Sequence, residues 1–122
     1  MPRFTDSLTT IAAAAALLPR DSAILAALTD EELLTIPRLF ADITRQLEPS
    51  AAAIAGEIAR RSARELGFSG LAQRTGYRTP ELLLQRLTGS TSREAVKLVR
   101  TGVIIHEADL VATVEKTGEV PP

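Results

Sequence analysis

Three Thr-Gly dipeptides, Thr75-Gly76, Thr88-Gly89 and Thr101-Gly102, stand thirteen residues apart. So even a beat admits two architectures: a stack of repeats, or a run of short helices that each end on glycine. Stacked repeats need matching apolar positions in at least three units, and these intervals share only their punctuation. Each interval instead parses with its own caps. Ser69 is placed to cap a short helix ending near Thr75. Thr79-Pro80-Glu81 supplies a cap, a first-turn proline and an acid that complements the helix dipole. Thr91-Ser92-Arg93-Glu94 is a capping box for a helix running to about Thr101, with Gly102 as its stop.

The same signals organise the rest of the chain. Two alanine-rich helices are expected over residues 6–18 and 22–28, broken at Pro19 and restarted after Asp21 as N-cap. Thr29-Asp30-Glu31-Glu32 is another capping box. Beyond it Leu33, Ile36, Phe40, Ile43 and Leu47 alternate spacings of three and four, and Ile54 and Ile58 can extend the stripe. That is the seam of a helix packed at a shallow angle, either inside one bundle, the preferred reading, or against a second copy. Pro37 and Pro49 should kink or restart this helix, because each removes a donor and crowds the carbonyl four residues back. A helix over residues 50–66 carries Ile54, Ile58, Ser62 and Leu66 on one side, and the pairs Glu57–Arg61 and Arg61–Glu65 on the other. Gly67 should stop it. Aromatics are only 3% of the sequence, so the core must come from Leu, Ile, Val and Ala. No period-two run points to a strand. The expected class is all-α, a multi-helix bundle with a long kinked helix and a C-terminal trihelical unit like a helix-turn-helix. It is read as a single domain over residues 1–122, divided as 1–28, 29–67 and 69–102, with 103–122 as tail or linker.

Charge is unevenly spread. Residues 1–50 carry −3, residues 51–102 carry +5 and residues 103–122 carry −3, within a net charge of −1. The basic excess falls on the Thr-Gly segment, where Gly89, Ser90 and Thr91 form a turn of helix-turn-helix length. Leu83, Leu84 and Leu87 can pack on Ala95, Leu98 and Val99, with Leu71 and Ala72 closing the core. Arg93, Lys97 and Arg100 then fall on one outward face of the last helix. A second register would make residues 80–88 the recognition helix, but it offers only Glu81, Gln85 and Arg86, so the later register is preferred on charge. The expected nucleic-acid contacts are Arg86, Ser90, Thr91, Ser92, Arg93, Lys97 and Arg100, with Arg74 and Arg78 in support. On this face DNA is one candidate partner, a solvated basic helix surface is the other reading, and a homodimer or a downstream domain are further candidate partners.

Other chemistries have little to draw on. There is no cysteine and His106 is the only histidine, so no catalytic residue, metal site or cofactor is assigned. The apolar run over residues 11–18 is too short to span a bilayer and follows Asp6, so a soluble, cytoplasmic protein is expected.

The stretch ARRSARELGFSGLAQRTGYRTPELLLQRLTGSTSREAVKLVRTG resembles an actinobacterial family defined by a domain of unknown function (number 222), often followed by an HNH endonuclease module. The features carrying the resemblance are Arg60-Arg61-Ser62, Leu71-Ala72, Leu87-Thr88-Gly89, and Arg93-Glu94-Ala95 leading into Leu98-Val99-Arg100. The likeness covers about residue 28 to the C-terminus. It implies a helical, DNA-handling module of a nuclease-like protein. An HNH centre itself needs histidines beyond His106. The Pro121-Pro122 ending reads as a linker, which suggests an N-terminal fragment or truncated copy. The alternative to DNA binding is a protein-interaction or homodimerisation module.

Overall fold

Several helix boundaries in the computed structural model, which describes residues 3–117, fall where local capping chemistry puts them. All regular elements among the described residues are helical: α1 (Phe4–Ala16), α2 (Ser22–Ala26), α3 (Asp30–Arg61), a 3-10 helix (Arg64–Ser69), α4 (Leu71–Arg74), α5 (Pro80–Thr88) and α6 (Ser92–Thr117). No described helix is long and apolar enough to cross a membrane. The chain divides into two units, residues 1–41 and 42–122, with the boundary inside α3.

In the first unit, the Asp21 side chain caps α2 by accepting from Ala23 N at 2.8 Å. Thr29 opens α3 with a closed capping box: its hydroxyl accepts from Glu32 N at 3.2 Å, and the Glu32 carboxylate accepts from Thr29 N at 3.1 Å. No described residue of this unit is buried, and only Leu28 and Ile36 are half-buried. Helix α3 runs unbroken past Pro37 and Pro49 for 32 residues, so neither proline restarts it. Pro37 and Pro49 and the residues four positions before them, Leu33 and Arg45, are exposed, and water can solvate the carbonyls that lose a donor.

The second unit holds the core. Ala55, Leu84, Ala95 and Val99 form a buried cluster, with Ile58, Ala59 and Leu98 packed against it. Residues 42–61 of α3 therefore join α5 and α6 as a third wall, which the helix-turn-helix reading had left to Leu71 and Ala72. Leu87, expected in that core, is 66% exposed. It lies three residues beyond Leu84 in the last turn of α5.

Where α3 crosses α6 the backbones touch. A Cβ built on Gly56 would stand 2.6 Å from Gly102 C and O, and one built on Gly102 would stand 2.0 Å from Ala52 O and 2.5 Å from Gly56 N. Gly102 is therefore not a stop, and α6 continues through it to Thr117. Residues 103–117, expected as a tail, are helix; Pro121-Pro122 lie outside the described residues. The third beat of the Thr-Gly series is a helix crossing, whereas the first two are turns. Gly76 and Gly89 have φ of 95° and 71°, the left-handed region that glycine enters without a Cβ penalty. At Gly76 the α4 exit is a Schellman motif, with Tyr77 N donating to Ala72 O at 2.9 Å and Gly76 N to Gln73 O at 3.1 Å.

Helix α3 also ends at Arg61, earlier than the sequence suggests. Ser62 leaves the helix to do a tertiary job. Its buried hydroxyl donates to Ile58 O at 2.7 Å and accepts from Ala72 N at 3.0 Å, tying the start of α4 to the end of α3. Ser69 does not cap α4. Gly70 holds the cap position, and the Ser69 hydroxyl donates backward to Leu66 O. Gly67, with φ of 54°, sits inside the 3-10 helix rather than ending α3.

A candidate nucleic-acid interface on α6

Thr91 sets the start of α6, its hydroxyl accepting from Glu94 N at 3.1 Å. At about 100° per residue, the buried positions Ala95, Val99 and Gly102 fall on one stripe, and Arg93, Lys97, Arg100 and Ile104 on the opposite one. All four of the latter are exposed. With Ser92, Val96 and Thr101 they line a shallow concavity of about 540 Å³. No acidic side chain lines it. Arg93, Lys97 and Arg100 make no ion pair among the described residues.

The arginines of α3 contrast with these. Arg60 Nε donates to Glu57 at 2.9 Å and Arg61 Nε at 2.8 Å, and their hydrogen bonds hold the Glu57 carboxyl down to about 2. Glu57 thus serves both arginines. The expected Arg61–Glu65 pair does not form, because Glu65 lies beyond the end of the helix. Arg45 is paired to Asp42. Unlike Arg45, Arg60 and Arg61 of α3, the three cations of the α6 face have no carboxylate partner among the described residues.

The remaining expected contact residues are scattered. Arg86 is exposed on α5 but does not line the α6 concavity. Ser90 and Thr91 work within the turn: Ser90 N donates to Thr88 Oγ1 at 3.3 Å, and Thr91 caps α6. Of the three hydroxyl residues in the turn region, only Ser92 faces the basic concavity. Arg74 is exposed on α4, with its Nε donating to Ser69 O at 2.9 Å. Arg78 borders a different concavity, of about 470 Å³, together with Arg64 and Phe68. Val96, Thr101 and Ile104 complete the α6 face and were not singled out from sequence, although their spacing from Arg93 and Lys97 carries the signal. His106 is exposed on α6, and no group of three His, Asp or Glu able to hold a metal occurs among the described residues.

Of the seam residues only Ile58 packs against the core cluster, and none is buried. In the first unit Leu33 and Phe40 are exposed and Ile36 is half-buried; in the second, Ile43, Leu47 and Ile54 are exposed and Ile58 is half-buried. The buried face of α3 is Ala52, Ala55 and Gly56. Compared with protein-family models, curated proteins and solved structures, the chain matches none of them.

Proposed function

We propose that this chain is a non-catalytic helical DNA-binding domain that presents the first three turns of α6 to the duplex. The observation that carries the reading is the Arg93, Lys97 and Arg100 face, exposed, unpaired with any acid and opposite the buried stripe of its own helix. Helix α5, the Gly89–Thr91 turn and α6 supply the order of a helix-turn-helix, in which the second helix approaches the major groove. Arg93, Lys97 and Arg100 would contact phosphates, with the Ser92 hydroxyl beside them and Arg86 flanking. The resemblance to the HNH-associated family agrees with a DNA-handling role beside a separate catalytic module. Titration of duplex DNA should give an affinity that falls steeply with salt. The double variant Lys97→Ala, Arg100→Ala should weaken binding and flatten the log–log salt slope by about 1.8, two phosphates at about 0.9 each. No binding to any duplex at low salt would sink the proposal.

A second reading, homodimerisation through the α3 stripe, draws support from the N-terminal unit. Its described helical residues include none that is buried, and Leu33 of the stripe is 46% exposed. Amphipathic helices owe most of their stability to a covered apolar face. Sedimentation across a hundredfold concentration range tests it: a strict monomer removes this reading and leaves the first intact.

A further inference from the structure

We infer that the concavity bordered by Arg64, Phe68, Gln73, Arg78, Thr79 and Glu81 is a binding site for a nucleoside monophosphate unit, free or as an unpaired nucleotide in a strand. It shares no lining residue with the α6 face and does not rest on the duplex reading. Phe68 anchors the argument. Its side chain is 95% exposed, giving up the roughly 2 kcal/mol that burying an aromatic ring gains. The ring is not on a loose segment. Gly70 N donates to Gly67 O at 3.2 Å, the Ser69 hydroxyl donates to Leu66 O, and Arg74 Nε holds Ser69 O at 2.9 Å. Phe68 is thus presented to solvent by a hydrogen-bonded turn.

The other lining residues are equally fixed. Gln73 Nε2 donates to Ser62 O at 3.3 Å and to Arg78 O at 3.2 Å, which pins the backbone of Arg78 to the end of α3. Arg64 and Arg78 are exposed and make no ion pair among the described residues. Thr79 Oγ1 accepts from Leu82 N at 3.2 Å as the α5 cap, which leaves its hydroxyl proton available. Glu81 contributes the one carboxylate. The combination calls for three properties in one ligand: a flat ring to cover Phe68, an anionic group for two guanidiniums, and an N–H donor for Glu81. A nucleotide supplies all three, as base face, phosphate and base-edge amine. A volume of about 470 Å³ suits a ligand of that size. An acidic peptide would satisfy the arginines but repel Glu81 and leave the ring uncovered.

The test uses two probes with the full chain: a thymidine oligonucleotide carrying one central 2-aminopurine, and 2-aminopurine riboside monophosphate. Stacking on Phe68 should change the fluorescence of the probe on binding. Phe68→Ala should weaken binding by about 5- to 150-fold, the loss of one base–aromatic stack. The ring is exposed, so the variant should keep its far-ultraviolet dichroism. Arg64→Ala and Arg78→Ala should each weaken binding, and the two together should lower the single-strand salt slope by about 0.7, the share of one phosphate. The double variant Lys97→Ala, Arg100→Ala should leave binding of the free monophosphate unchanged, which separates this site from the α6 face. Equal affinity for the two probes identifies a free-nucleotide site, and binding of the strand alone identifies an unpaired-nucleotide site. Equal binding by the native chain and Phe68→Ala, or no binding of either probe at millimolar concentration and low salt, overturns the proposal.

Discussion

The two units of this protein are built from helices of similar local quality and differ in what covers them. Residues 1–41 carry a good N-cap, a closed capping box and alanine-rich helices, yet bury nothing among the described residues. Residues 42–122 contain the short α4 and α5, a 3-10 helix and three positive-φ glycines, and they hold the core. Capping and propensity decide where a helix starts. They contribute about 1 kcal/mol per cap, while tertiary burial decides whether the helix persists. Hydrogen exchange should therefore divide the chain, with α1 and α2 exchanging through cheap local openings and the α3–α6 crossing through global unfolding of its unit.

That contrast can be broken most violently at the crossing. Gly102→Leu places a side chain on Ala52 O and the Gly56 backbone, neither of which can move aside. It should cost more than about 3 kcal/mol and abolish cooperative urea unfolding of the second unit. Leu84→Ala empties a buried site in the same cluster and should cost about 2 to 4 kcal/mol by the same measurement. Ser62→Ala leaves the buried Ala72 N–H without its acceptor, for about 1 to 3 kcal/mol, and should accelerate exchange in α4 before α6. Glu57 gives a smaller, pH-dependent effect. Its carboxyl is lowered to about 2, so the stabilisation is complete above the ordinary carboxylate value and is lost as pH falls toward 2. The group is partly exposed, so solvent screening limits this to about 0.5 kcal/mol, and Glu57→Gln should remove the acid-side slope. At the small end, Leu33→Ala in the first unit should change monomer stability by no more than about 0.5 kcal/mol. A larger loss that grows with protein concentration would show that this face is covered by a second copy.

The legible parts of the fold were those whose cause lies within about four residues. Asp21, Thr29, Thr79, Thr91, Gly76 and Gly89 announce helix ends because cap and capped group are neighbours in sequence. Gly102 looked like a third such stop, since a glycine that ends a helix and one that lets two helices touch read alike until the partner, Gly56, is in view. The role of Ser62 is hidden in the sequence for the same reason: its partner lies ten residues away at Ala72. Hydrophobicity misled where the core was concerned. It ranks Ile and Leu above Ala, so the α3 stripe through Phe40 and Ile54 stood out, whereas close approach of helices selects Ala52, Ala55 and Gly56 for burial. On the α6 face, the spacing of Arg93, Lys97 and Arg100 was enough to place them together. Phe68 and Arg64 gave no such signal, because a solvent-facing ring on a 3-10 turn follows no period.

A contact made of bare backbone has no rotamers with which to adjust. At the Gly56–Gly102 crossing α6 can neither roll about its axis nor slide along residues 42–61 of α3 without driving main-chain atoms into each other. The direction in which Arg93, Lys97 and Arg100 point is thereby set by two positions that carry no side chain. A substitution at either glycine that the fold survived would turn those cations away from whatever they meet, changing recognition without altering a single charged residue.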